Sequence, residues 1–161
     1  MNPAHLHLLI NHVPVIGAVI GLALLAAAIV RRSDELARVT FWLYALLGAA
    51  SLVVYLTGEP AEEAVERLAG VSESLIEQHE EAALVATIAM GAAGALALLA
   101  TIVFRRKAIP RGIVGGGLVV ALLIIGLMGY TANLGGQIRH TEIRSGAVPS
   151  AAASAARSEG E

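Results

Sequence analysis

Residues 13–32 read VPVIGAVIGLALLAAAIVRR, an uncharged apolar run closed by Arg31 and Arg32. A bilayer hydrocarbon core of about 30 Å takes roughly 20 helical residues, and counting back from Val30 reaches Asn11. Upstream, Asn2-Pro3 pairs an N-capping residue with proline at the first helical position. A helix is therefore expected from near Pro3 to Arg31, with residues 3–10 at an interface. Pro14 has no backbone donor for the Ile10 carbonyl, so a local kink is expected there. The absence of a basic N-terminal region, and arginines placed after the apolar run, mark a retained span rather than a cleaved signal.

The rest of the chain repeats this pattern. Apolar stretches near 36–57, 82–104 and 113–134 are each close to spanning length, and with 8–31 they make four. The 161 residues are 57% apolar and 15% charged, which fits a membrane protein and not a soluble core. The expected fold is all-α: an integral membrane four-helix bundle over residues 1–145. Its acidic cap, 58–81, carries Val65, Leu68, Val71, Leu75 and Ile76 at amphipathic helical spacing and breaks at Gly70. An Ala/Ser-rich tail, 146–161, is expected to be mobile. No cysteine occurs, which removes disulfides and Cys-ligated zinc or iron-sulfur centres. No nucleic-acid-binding footprint is visible.

Charge placement sets an expected orientation. The short loops 31–38 and 105–111 hold Arg31, Arg32, Arg38, Arg105, Arg106, Lys107 and Arg111, seven of the eleven Lys and Arg. The positive-inside rule puts these loops in the cytoplasm and both termini outside. In a bacterium this is a multi-pass protein of the inner membrane with its acidic cap on the periplasmic face. Trp42, Tyr44, Tyr55 and Tyr130 are expected as interfacial anchors.

With that topology all five histidines fall at the outer end: His5, His7 and His12 on the first helix, His79 at the start of the third, His140 after the fourth. His5 and His12 are two helical turns apart and share a face, while His7 and Asn11 share another. Gly17 and Gly21, with Gly91, Gly94, Gly126 and Gly129, either admit close helix packing or leave room for a flat cofactor. Neutral imidazole ligates haem iron, zinc, copper and non-haem iron. His12 and His79 are the leading expected ligand pair for a b-type haem, with Arg139 or Arg144 as propionate partners, His5 with His140 as a second pair, and His7 as a further candidate ligand. The alternative is a divalent-metal site of His5, His12, His79 and His140 with Glu77 or Glu80. A solvated histidine rim without any cofactor is the bland reading. Its counterpart in function is a membrane subunit that docks a partner through the acidic cap.

The run from His5 to Pro14, HLHLLINHVP, resembles the His-x-x-x-x-His-x-Pro opening of a bacterial four-helix membrane family of unknown function. Thr57-Gly58 at the end of the second helix, His79 at the start of the third, and Gly135-Gly136 followed by His140 agree with that family in order. Val13 stands where the family has phenylalanine, and Gln137 to Thr141 depart from its aromatic-His-Gly ending. Family members occur fused to Rieske or cytochrome domains. The resemblance implies redox work at the outer face, with a periplasmic redox partner or other membrane subunits. No nucleophile motif, phosphate loop or intramembrane carboxylate marks a stand-alone enzyme or a transport path.

Overall fold

The computed structural model describes residues 3–66, 68 and 70–144; the expectation of a mobile tail over 146–161 lies outside them. Six α-helices follow in order: α1 (Pro3–Ile10), α2 (His12–Arg31), α3 (Asp34–Leu56), α4 (Gly58–Val65), α5 (Glu73–Val103) and α6 (Arg111–Arg139), then a 3₁₀ turn, Thr141–Ile143. Four helical runs are long and apolar enough to cross a membrane: Ala4–Arg31, Asp34–Val65, Glu73–Val103 and Arg111–Arg139. The first joins α1 to α2 and the second joins α3 to α4.

Local chemistry explains the joints. Between α1 and α2 only Asn11 interrupts the helical pattern, and it keeps a right-handed helical backbone (φ −62°, ψ −25°) while its amide donates to the His7 carbonyl (2.9 Å). Pro14, buried in the next turn, withholds a donor from Ile10. The α2–α3 turn closes on Arg32, which adopts a left-handed conformation (φ 53°), and on Ser33, whose hydroxyl accepts from the Leu36 amide (3.2 Å). Gly70 takes φ +83° between α4 and α5, the conformation glycine adopts without a Cβ penalty. Helix α5 begins at Glu73, well before the expected span at 82, because the Glu-rich segment is made of good helix formers.

Helices α2, α3, α5 and α6 close a ring: α2 packs on α3, α3 on α5, α5 on α6, and α6 back on α2, while α1 lies on α4. The packing is small inside and large outside. Ala18, Ala28, Ala37, Ala86 and Ala121 are buried, whereas Val30 (82% exposed), Leu46 (66%), Leu123 (65%) and Leu96 (64%) project outward. An aqueous protein does not present so broad an apolar exterior, and helix packing in lipid favours small residues at the contacts. An ideal Cβ at Gly94 would stand 2.8 Å from the Tyr44 carbonyl and 3.2 Å from Gly48 Cα, so α3 and α5 touch backbone to backbone there. Gly17 and Gly21 leave no room for a cofactor: they receive the side chains of Leu47 and Tyr44. Tyr44 is correspondingly buried (4% exposed), its hydroxyl donating to the Ala18 carbonyl (3.2 Å), which corrects its expected role as an interfacial anchor. Trp42 and Tyr130 do face outward, and Met90 is core.

At the basic end, Arg38 donates through Nη2 to the Phe104 carbonyl (2.8 Å) and to that of Lys107. This ties the start of α3 to the end of α5.

Candidate functional site at the histidine end

The inward face of the first helical run follows three- and four-residue steps: His7, Asn11, Pro14, Ala18, Gly21, Leu25, Ala28. From Pro14 onward every member is buried, and the stripe carries His7 and Asn11 into the mouth of the bundle. His7 is half-buried and its Nδ1 lies 3.1 Å from Thr57 Oγ1. Thr57 uses its own hydroxyl hydrogen on the Val54 carbonyl (2.7 Å), so Oγ1 accepts and His7 Nδ1 carries the proton. Gly58 adjoins the same ring: an added Cβ would lie 3.9 Å from His7 Cε1.

Across the mouth, His79 on α5 is half-buried against α6. Its Nδ1 lies 3.0 Å from the Thr131 carbonyl oxygen; a carbonyl only accepts, so Nδ1–H is again the donor. Gly135, one turn after Thr131, makes this contact sterically available, since a Cβ there would come within 3.0 Å of His79 Cε1. Both rings therefore present Nε2 as the unprotonated nitrogen. The two lie within electrostatic reach of each other. Their Nδ1–H bonds are of the kind that fix ring orientation and raise the basicity of a ligating imidazole.

The other histidines stand apart. His12 is exposed and donates from Nδ1 to the Leu8 carbonyl of its own helix (3.2 Å). His5 is exposed. His140, also exposed, pairs with Glu142 (Nδ1 to Oε1, 2.9 Å). The Glu142 carboxyl is held below the ordinary carboxylate range, first by its own backbone amide and then by the His140 ring. Glu77 and Glu80 flank His79 in sequence yet are exposed, with Glu80 in electrostatic reach of Glu62 on α4. Among the described residues no three of His, Cys, Asp and Glu gather into a group able to hold a metal ion. The set His5, His12, His79, His140, Glu77 and Glu80 is thus dispersed around the rim.

Two features of the mouth were not legible as single motifs. Arg144 donates to the carbonyls of Gln137 (2.7 Å), Gly70 (2.8 Å) and Ile138 (3.0 Å), stapling the cap to the end of α6 and leaving Arg139 as the exposed cation nearby. Asn11 Oδ1 is buried without a hydrogen-bond partner, one turn below His7. Its signal in the sequence was its place on the inward stripe.

The fold is an all-α bundle with four helical runs long and apolar enough to cross a membrane, and it holds two anchored imidazoles, His7 and His79, within electrostatic reach of each other at one end. No family model, no curated protein and no solved structure matches this chain.

Proposed function

We propose that His7 and His79 at this mouth would hold a b-type haem and that the protein passes electrons there. The observation that carries the reading is the matched pair of half-buried imidazoles on separate helices, each anchored through Nδ1–H with Nε2 left to ligate. A porphyrin supplies four of the six iron ligands, so two histidines suffice. Zinc, copper or non-haem iron held by protein alone needs three or four ligands, which the dispersed rim does not offer. Arg139 is an exposed cation available to a propionate, since Arg144 is committed to backbone carbonyls.

Within this reading the chain's residues have distinct tasks. Thr57 and the Thr131 carbonyl hold the two rings in one tautomer, and Gly135 keeps the wall beside His79 thin. The apolar bundle below excludes water. Bound haem supplies one-electron chemistry that a cysteine-free chain lacks. The resemblance to the redox-associated membrane family supports the same reading, and the basic loops argue for an inner-membrane orientation with this mouth periplasmic. The exposed carboxylates of the cap, Glu59, Glu63, Glu66, Glu73, Glu77, Glu80 and Glu81, suit a basic redox partner or a neighbouring membrane subunit.

The test is an absorption spectrum of detergent-purified protein from haem-replete cells, oxidised and then dithionite-reduced. A Soret band with a sharpened reduced α band is expected. It should be lost in His7→Ala and His79→Ala and kept in His5→Ala, His12→Ala and His140→Ala. Loss in His12→Ala with retention in His7→Ala would transfer the pairing to His12 and His79. No Soret band at all would refute the haem reading, and copurified zinc or copper that disappears in His79→Ala would replace it.

A further inference from the structure

The end of the bundle opposite the histidines carries a second feature, unconnected to the proposed haem mouth. Between α5 and α6 lies an apolar cleft of about 390 Å³, within the roughly 300–1,000 Å³ of small-molecule sites. It exists because the facing surfaces are too small to fill it: α5 contributes Ala93, Ala97 and Ala100, and α6 contributes Gly116 and Gly117. A Cβ at Gly116 would meet nothing within 4 Å. Phe41 and Leu25 line it from α3 and α2. Its lips, Leu96 (64% exposed) and Val103 (60% exposed), lie on the outer surface, so the cleft opens sideways, toward hydrocarbon in a membrane.

The cleft ends at Phe104 and Ile113, the residues that bracket the loop carrying Arg105, Arg106, Lys107 and Arg111. All four cations are exposed, and among the described residues none of the four is in an ion pair. An apolar slot in the plane of the acyl chains, closed at its end by unpaired cations at headgroup level, matches one kind of molecule in shape and charge. We propose that this cleft is a binding site for an anionic phospholipid, with an acyl chain between α5 and α6 and the phosphate on the 105–111 loop. A second copy of the chain is the poorer occupant, because a two-fold contact through this cleft would bring the same four cations face to face. A neutral isoprenoid would leave the cations without use.

Native mass spectrometry of the full chain, released from detergent containing equal dioleoylphosphatidylglycerol and dioleoylphosphatidylcholine, tests this. One retained phosphatidylglycerol per chain is expected, favoured over phosphatidylcholine by at least about fivefold, the worth of a single cation near an anionic surface. The variant Arg105→Gln/Arg106→Gln/Lys107→Gln/Arg111→Gln should bring the ratio close to unity while a lipid is still retained. Gly116→Leu, which fills the cleft, should lower retention of both lipids. The exposed fourfold variant keeps the test decisive even if Gly116→Leu fails to fold. Equal retention by the unaltered chain, a preference that survives the fourfold substitution, a dimer broken by Gly116→Leu, or a copurified neutral isoprenoid displaced by it would each overturn the proposal.

Discussion

Exchanging Gly94 for alanine should destabilise the bundle, whereas the same exchange at Gly91, one turn away on α5, should not. A Cβ at Gly94 would lie 2.8 Å from the Tyr44 carbonyl oxygen and 3.2 Å from Gly48 Cα, both backbone atoms. Ordinary carbon–oxygen contacts in packed helices fall near 3.3–3.6 Å, so α5 must withdraw from α3 by roughly 0.5–0.8 Å. A gap of that size forfeits about a quarter to a half of the attraction across each contact it opens, and overpacking of this kind costs about 1–3 kcal/mol. At Gly91 a Cβ meets nothing within 4 Å. Both exchanges carry the same gain in helix propensity, about 1 kcal/mol, which cancels between them. Gly94→Ala should therefore be less stable than Gly91→Ala by about 1–3 kcal/mol. Titration from mild detergent into dodecyl sulfate, followed by circular dichroism and by the fluorescence of Trp42, the sole tryptophan, measures that difference. Two variants agreeing within about 0.5 kcal/mol, the size of an ordinary surface effect, would refute the backbone contact between α3 and α5.

Four further outcomes are expected. Ser51→Ala should match or exceed the parent in stability, because Ser51 Oγ is buried without a partner and such a group costs about 1–3 kcal/mol; a clear loss in the same titration would mean that a bound molecule serves it. Arg38→Ala should lose up to about 1.5–3 kcal/mol, the worth of charge-assisted bonds, and increase hydrogen exchange at the end of α5, since its guanidinium ties α3 to the Phe104 and Lys107 carbonyls. Gly135→Ala should displace the His79 ring from the Thr131 carbonyl, seen as a shifted His79 imidazole resonance and, if haem is bound, an altered Soret band; an unchanged ring would contradict the 3.0 Å contact. Glu142 should titrate below the ordinary carboxylate range by carbon-13 NMR, and His140→Ala should raise it only part-way, because its own backbone amide is the larger influence. Any stability from that depressed carboxyl is present above its unfolded value and is lost as pH falls through the folded one.

Much of the architecture was legible in the chain because long apolar runs have few alternatives to a helix. In lipid, long uncharged runs ended by arginine have one stable form, a helix that satisfies its own backbone, and the four runs appear as four helical runs long and apolar enough to cross a membrane. Their ends were less legible: hydropathy marks where hydrocarbon begins, whereas α5 starts at Glu73 and α6 continues through Gly135-Gly136 to Arg139, since a helix does not stop at the membrane edge unless something caps it. Tyr44 shows the same limit from within. An aromatic near a helix end reads as an interfacial anchor until the partner helix offers a hole, here Gly21.

Heptad spacing alone divided the N-terminal histidines into two faces, His5 with His12 and His7 with Asn11. Which face turns inward was decided by packing: α2 sets its small residues against α3, and the same stripe carried back into α1 brings His7, not His12, to Thr57. The sequence by itself thus determined an all-α bundle of four runs long and apolar enough to cross a membrane, with its histidines at one end and its basic loops at the other, because those properties follow from local hydrophobicity and charge. Only the tertiary structure decided that His7 and His79 share a mouth, with Nδ1 of each ring spent on a neighbouring helix. That pairing depends on how four helices are rotated about their axes, and rotation is settled by which knobs find which glycines.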